Sequence, residues 1–246
     1  MSDLQFPSYI NKDALLPPTN IDSGLKWFCQ CDSEDTFGSN LKLLPADWHY
    51  RNKQVVYCFN SNKYRAPEFD SINWSQSVVI FGCSIVFGVG VSEDETIGYY
   101  LSQIMNRPVI NLGQSATSMM YSLYNSVALS KNFPTPWAVV QCWTSSNRIV
   151  EATRTELKHV HSKIYNYWNA SSNNTEFHSY YIELLGEHIW KDRTRYVSGS
   201  FFDSRYGPTF FETIDRARDL IHPGPKSNYE AAKKIAKELM PTSSNG

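Results

Sequence analysis

The chain has 246 residues, of which 41% are hydrophobic and 19% are charged, a composition typical of a globular protein with a sizeable core. The 23 Lys and Arg residues nearly balance the 24 Asp and Glu residues, so the net charge of -1 excludes a general attraction to nucleic acid or anionic lipid. The N-terminus has no basic segment followed by an apolar run, and no apolar stretch approaches the roughly 20 residues that span a bilayer. We therefore expect a cytoplasmic protein with neither nucleic-acid nor membrane partners.

Residues 1–75 are predicted to form an irregular N-terminal extension packed on the core. Several prolines interrupt the first 50 residues, and hydrophobic residues there follow neither the strand nor the helix period. Residues 54–59 (QVVYCF) predict one short edge strand within this extension.

Five cysteines, at positions 29, 31, 58, 83 and 142, fit neither a disulfide framework nor a four-ligand zinc site. Cys29 and Cys31 are separated by one residue, which is too close for CxxC redox chemistry, and no histidine lies in that segment. Buried or idle thiols are the expectation, and we predict neither a metal site nor a cofactor.

Residues 76–246 are predicted to form the catalytic domain, because strand and helix patterns alternate from Ser77 onward. Apolar runs at 77–82, 109–112 and 137–143 predict strands, the first of them covered on both faces. Between them, a capping box at Ser92–Glu95 opens a helix to about Asn106, and 119–129 predicts a second helix. Such βαβ units predict a parallel sheet with ligands bound beyond the C-terminal ends of its strands.

The rest of the chain is predicted to continue this pattern. Residues 148–191 predict two helical pieces, the second near Glu176–His188, and residues 196–203 predict another strand. Ser227 and Glu230 form a second capping box that opens the last helix.

Three residues have the chemistry of a serine nucleophile and its activators. A serine hydroxyl needs an imidazole to take its proton, and the imidazole works best when a carboxylate orients it. Ser84 follows the first apolar strand, with Gly82 permitting the turn, while Asp219 and His222 lie three residues apart before the last helix. Each feature also has a purely structural explanation: Ser84 can be a cap and the Asp219–His222 pair a surface contact. Gly113, which follows the second predicted strand, can likewise be a tight corner.

The order and spacing of these residues resemble the SGNH or GDSL-like hydrolase superfamily over roughly residues 77–240. Gly82-Cys83-Ser84 matches the first block, Asn111-Leu112-Gly113 the second, and Asp219 to Pro223 the DxxHP block. The resemblance implies a three-layer α/β/α, flavodoxin-like fold. It also implies that Ser84 attacks an acyl carbon, His222 acts as base and then acid, Asp219 orients His222, and the amides of Ser84 and Gly113 bind the oxyanion.

Two departures from the family pattern affect the predicted site. The aspartate that usually precedes the nucleophile is Cys83 here, which is not a triad position. The third block, normally Gly-x-Asn-Asp, reads Trp143 to Arg148. Asn147 is the natural candidate for the side-chain oxyanion donor but lies two or three residues late, and Thr144 or Ser145 is the alternative; losing one donor costs roughly 3 kcal/mol of transition-state stabilisation.

Three functions remain open from the sequence. The first is a serine esterase that removes a small acyl group, such as acetyl, from a carbohydrate or a similar small molecule. The second is a catalytically weak SGNH-fold module that binds a glycan or a protein partner. The third, a nucleotide-binding protein, ranks below both because GxxxxGK[ST] and a complete GxGxxG are missing. The oligomeric state is not predicted.

Overall fold

A computed structural model of the chain describes residue 15 and residues 23–145, 149–152, 157–160, 172–201 and 208–240. Within these residues, four strands form one sheet: β1 Val78–Phe81, β2 Val109–Asn111, β3 Ala138–Trp143 and β6 Arg195–Ser200. The sheet is parallel, with the strand order β2-β1-β3-β6. The longer helices that cover the sheet are α3 Ile97–Met105, α4 Met119–Asn132, α5 Ser172–Trp190 and α6 Pro225–Leu239.

Both faces of the sheet are buried, which explains the uninterrupted apolar run of β1. Val78 and Ile80 pack in one core cluster with residues of α3 and α6. Val79 and Phe81 point the other way and pack with residues of α4 and with Trp190 of α5. Successive side chains of a strand alternate between faces, so a strand covered by helices on both sides needs apolar residues throughout. The structure therefore confirms the predicted three-layer α/β/α fold with a parallel sheet.

The capping boxes have different outcomes. Ser92 and Glu95 form the predicted box, but it closes a short 3-10 helix, Glu93–Glu95, and Thr96 then caps α3. The prediction for Ser227 is wrong, because α6 begins at Pro225. The first backbone N–H groups of α6 instead donate to the Asp215 side chain: the Ser227 N–H donates to Asp215 Oδ1 at 2.9 Å. A cap supplied from ten residues upstream leaves no mark in the local pattern.

Two other predictions are corrected. The first piece of 148–191 is not helical where it is described: β4 Ile149–Ala152 pairs antiparallel with β5 Leu157–Val160. Residues 54–59 form no strand; Tyr57 makes a single bridge to Leu25. Val55 and Tyr57 are buried, so the alternating pattern is present, but no neighbouring strand pairs along it.

The N-terminal segment contains one regular helix, α1 Glu34–Leu43, where an irregular chain was predicted. Ser33 caps it by accepting from the Thr36 N–H. Asn40 is its only buried residue, and its three apolar side chains, Phe37, Leu41 and Leu43, are too few to make the helical period evident in the sequence. No helix among the described residues is both long and apolar enough to cross a membrane.

Candidate active site

The predicted nucleophile lies at the C-terminal edge of the sheet. Ser84 is the first residue of α2 (Ser84–Phe87), a single helical turn that follows β1 after Gly82 and Cys83. A Cβ on Gly82 would collide with the Val86 side chain and come within 3.2 Å of the Cys142 carbonyl oxygen, so only glycine fits this turn. Ser84 is buried, and its Oγ makes no hydrogen bond within the described part of the chain.

Asp219 and His222 are joined directly in the loop before α6. His222 Nδ1 lies 2.5 Å from Asp219 Oδ2, and Asp219 Oδ1 accepts from the backbone N–H groups of Ile221 and His222 at 3.0 Å each. The Asp219 side chain is fully buried, whereas that of His222 is 15% exposed. Since the carboxylate binds Nδ1, Nε2 is the nitrogen left to exchange a proton with another group.

These contacts keep Asp219 ionised. Burial by itself raises the pKa of a carboxyl group, but the hydrogen bond and charge of His222, together with the two backbone N–H groups, hold the pKa of Asp219 below its usual value. A carboxylate that stays charged can stabilise the positive imidazolium that forms when His222 takes up a proton.

The segment that carries Ser84 contacts the loop of Asp219 and His222, here called the acid–base loop, at Gly90. The Arg218 N–H donates to the Gly90 carbonyl oxygen at 3.1 Å, and a Cβ on Gly90 would lie 3.3 Å from Asp219 Oδ1. No hydrogen bond joins Ser84 Oγ to His222 in the residues that the structure covers. Such bonds are often long before substrate binds, so their geometry does not eliminate a candidate.

The predicted oxyanion donors have three different environments. The Gly113 N–H donates to Asn111 Oδ1 at 2.9 Å, and Asn111 in turn donates to the Val86 carbonyl oxygen. Thr144, just after β3, is buried, and its hydroxyl has no hydrogen-bond partner among the described residues. Asn147 lies outside the described residues.

A buried network that sequence reasoning missed supports the acid–base loop. Arg218 Nε donates to Asp32 Oδ1 at 2.6 Å, and the Asp32 side chain also accepts from the Tyr57 hydroxyl at 2.5 Å. The same hydroxyl accepts from the Gly90 N–H at 2.8 Å. One chain of hydrogen bonds thus links Gly90, after the predicted nucleophile, with Arg218, next to Asp219.

Two further side chains lie close to these loops. Arg65 is buried and donates to the carbonyl oxygens of Phe87, Gly88 and Val91, so it holds the loop after α2. The Cys31 sulfur lies within 4.8 Å of a carboxylate oxygen of Asp219 and of a ring nitrogen of His222. No histidine lies near Cys31 in the sequence, but the fold brings His222 to it from the C-terminal part of the chain.

Comparison with solved structures gives remote likenesses. The chain is similar to a member of the lipolytic protein G-D-S-L family from Veillonella parvula, at 14% identity and a TM-score of 0.34, over 65% of this chain and 69% of that one. It is also similar to a carbohydrate esterase family 2 enzyme with a carbohydrate-binding domain from Corynascus thermopiles, at 13% identity and a TM-score of 0.41, over 67% and 65% of the two chains. An acetyl xylan esterase from Butyrivibrio proteoclasticus matches at 10% identity and a TM-score of 0.38, over 69% and 64%. No protein-family model and no curated protein matches the sequence.

Proposed function

We propose that this chain is a serine esterase of the SGNH kind that cleaves a small acyl ester, with acetylated carbohydrates as the first substrate class to test. The observation that carries the proposal is the Asp219–His222 contact of 2.5 Å in the loop that also touches the segment after Ser84. A buried carboxylate bound to Nδ1 is the arrangement that prepares an imidazole to act as a general base.

In the proposed reaction, His222 Nε2 takes the proton of Ser84 as its Oγ attacks the acyl carbon. The imidazolium, stabilised by Asp219, then donates that proton to the departing alcohol and leaves an acyl group on Ser84. Water repeats the sequence: His222 removes its proton, the hydroxide oxygen attacks the acyl carbon, and Ser84 regains a proton as the acid leaves.

The oxyanion needs donors at the same edge of the sheet. The Ser84 N–H, at the first position of α2, has no acceptor within the helix and is one candidate. The hydroxyl of Thr144 is another, because it is buried without a partner in the described structure. A donor that is not already bonded loses nothing when it turns to a negatively charged oxygen.

A second candidate function is a catalytically weak module that binds a glycan or a protein partner. The Gly113 observation favours it, because this N–H already donates to Asn111 Oδ1 and must share or leave that bond to serve an oxyanion. Under this alternative, Ser84 reacts slowly or not at all.

The deciding experiment compares hydrolysis of p-nitrophenyl acetate by the wild type, Ser84→Ala and His222→Ala, with mass spectrometry after a fluorophosphonate probe. We expect one phosphonate on Ser84 and at least a 100-fold loss of turnover in both variants. His49→Ala is the matched control, because it also removes a histidine bound to a carboxylate: His49 Nε2 lies 2.5 Å from Oε1 of Glu95, and neither residue belongs to the proposed triad. Equal activity in all four proteins, without labelling of Ser84, contradicts the esterase and supports the binding module.

Thr144→Val tests the donor role of the hydroxyl separately. Valine has the shape of threonine without its hydroxyl, so removing an unpartnered group leaves the thermal midpoint unchanged or slightly raised. We expect turnover to fall about 100-fold, the typical effect of losing one oxyanion donor. Unchanged turnover with unchanged stability assigns the donor elsewhere.

A further inference from the structure

The cysteines differ sharply in accessibility. Cys83 and Cys142 are buried in the core, Cys58 is exposed, and Cys29 and Cys31 are half-buried. The sulfur atoms of Cys29 and Cys31 lie 3.0 Å apart, within sulfur hydrogen-bonding distance. They need to approach by only about 1 Å to reach the length of a disulfide bond.

A turn fixes the two thiols side by side. The Asp32 N–H donates to the Cys29 carbonyl oxygen at 3.0 Å, and the Phe28 N–H donates to the Asp32 carbonyl oxygen at 3.1 Å. Asp32 is itself held by Arg218. The spacing of one residue is outside the CxxC pattern, but the folded turn supplies the proximity that the spacing alone does not.

The two thiols also differ in acidity. The hydrogen bond from Cys31 lowers the pKa of the Cys29 thiol to about 6. The same bond, together with burial and the nearby charge of Asp219, raises the pKa of Cys31 above its usual value. At pH 7 Cys29 is therefore mostly thiolate, the nucleophilic form, while Cys31 keeps its proton.

We propose that Cys29 and Cys31 form a thiol–disulfide redox site that reacts with low-molecular-weight disulfides of the glutathione type. The Cys29 thiolate attacks one sulfur of the small disulfide, whose S–S bond breaks and releases one thiolate, which takes a proton from solvent. Cys31 then loses its proton and attacks the Cys29 sulfur, expelling the second small thiolate. Two protein thiols are oxidised to one disulfide, and one small disulfide is reduced to two thiols.

This site is independent of ester hydrolysis, although Cys31 lies beside the predicted triad. Its sulfur is within 4.8 Å of a carboxylate oxygen of Asp219 and a ring nitrogen of His222. Oxidation removes the Cys31 proton from that neighbourhood, but neither sulfur step uses Ser84. The Ser84→Ala variant should consequently form the same disulfide at the same rate.

The test incubates native protein with oxidised glutathione, blocks remaining thiols with iodoacetamide and maps peptides by mass spectrometry. Residues 27–42 form one tryptic peptide that contains both Cys29 and Cys31. We expect this peptide to lose the mass of two hydrogens and to carry no alkyl group. In Cys31→Ser, glutathione should instead remain attached to Cys29, because no second thiol resolves the mixed disulfide.

The pH dependence of the alkylation rate in reduced protein measures the difference in thiol acidity. The rate at Cys29 should be constant above about pH 7 and fall about tenfold per unit below about pH 6. Cys58→Ser is the matched control and should leave both results unchanged, with folding of each variant checked by circular dichroism. The proposal is overturned if the 27–42 peptide stays reduced while Cys58 becomes glutathionylated, or if Cys29 reacts no faster than Cys58 at pH 6.5.

Discussion

Asp32→Asn should destabilise the protein strongly, because it removes the counter-charge of a buried arginine. Arg218 donates through Nε to Oδ1 at 2.6 Å and through Nη2 to Oδ2 at 2.9 Å, and the two side chains are only 5% and 1% exposed. Breaking one side of a buried ion pair leaves an uncompensated charge and costs about 3–5 kcal/mol. The asparagine keeps the size of the side chain, so the loss reports the charge and the hydrogen bonds that it accepts rather than packing.

Urea unfolding followed by circular dichroism measures this loss. With a denaturant slope of about 3 kcal/mol per molar, the midpoint should fall by about 1–1.7 M. Glu230→Gln is the matched control: it also removes a carboxylate paired with a cation, here Lys233, but both side chains are well exposed and the midpoint should not move measurably. A midpoint for Asp32→Asn within error of that control refutes the assignment of Asp32–Arg218 as a stabilising pair.

Two further predictions concern the acid–base loop. Because the pKa of Asp219 is lowered in the folded protein, its hydrogen bonds stabilise fully above the unfolded pKa of about 4 and lose that effect as the pH falls through the folded value. The difference in unfolding free energy between wild type and Asp219→Asn should therefore shrink as the pH falls below about 4; a difference that grows below pH 4 contradicts this sign. Gly90→Ala should destabilise more than Gly24→Ala by about 1–3 kcal/mol, measured by the same unfolding assay. Both glycines have positive φ, +77° and +81°, but only at Gly90 would a Cβ meet Ala217 Cβ at 2.9 Å, so equal losses would mean that backbone strain alone decides the effect.

The layers of the fold could be predicted because their signals are local. The buried run of β1 and the 3.6-residue period of α3 are each visible within ten residues of sequence. Asp219 and His222 were also within reach, since three residues separate them and a turn before a helix brings them together. These are the elements in which the hydrophobic pattern and the short-range geometry agree.

Other elements were missed because their stability comes from elsewhere in the chain. Helix α1 has only three apolar side chains, Phe37, Leu41 and Leu43, so its hydrophobic period is weak. The antiparallel pair of β4 and β5 has only four residues in each strand, too few for a hydrophobic period to distinguish strand from helix. The Asp32–Arg218 pair joins residues 186 positions apart, a distance over which a single sequence contains no pairing signal.

The same network bears on the predicted boundary near residue 75. Tyr57 and Asp32 belong to the predicted extension, yet the first accepts from the Gly90 N–H and the second pairs with Arg218. Gly90 follows the segment that carries Ser84, and Arg218 precedes Asp219. The relative position of the proposed nucleophile and its base therefore depends on side chains outside residues 76–246. The N-terminal extension is thus part of the scaffold that holds the proposed site.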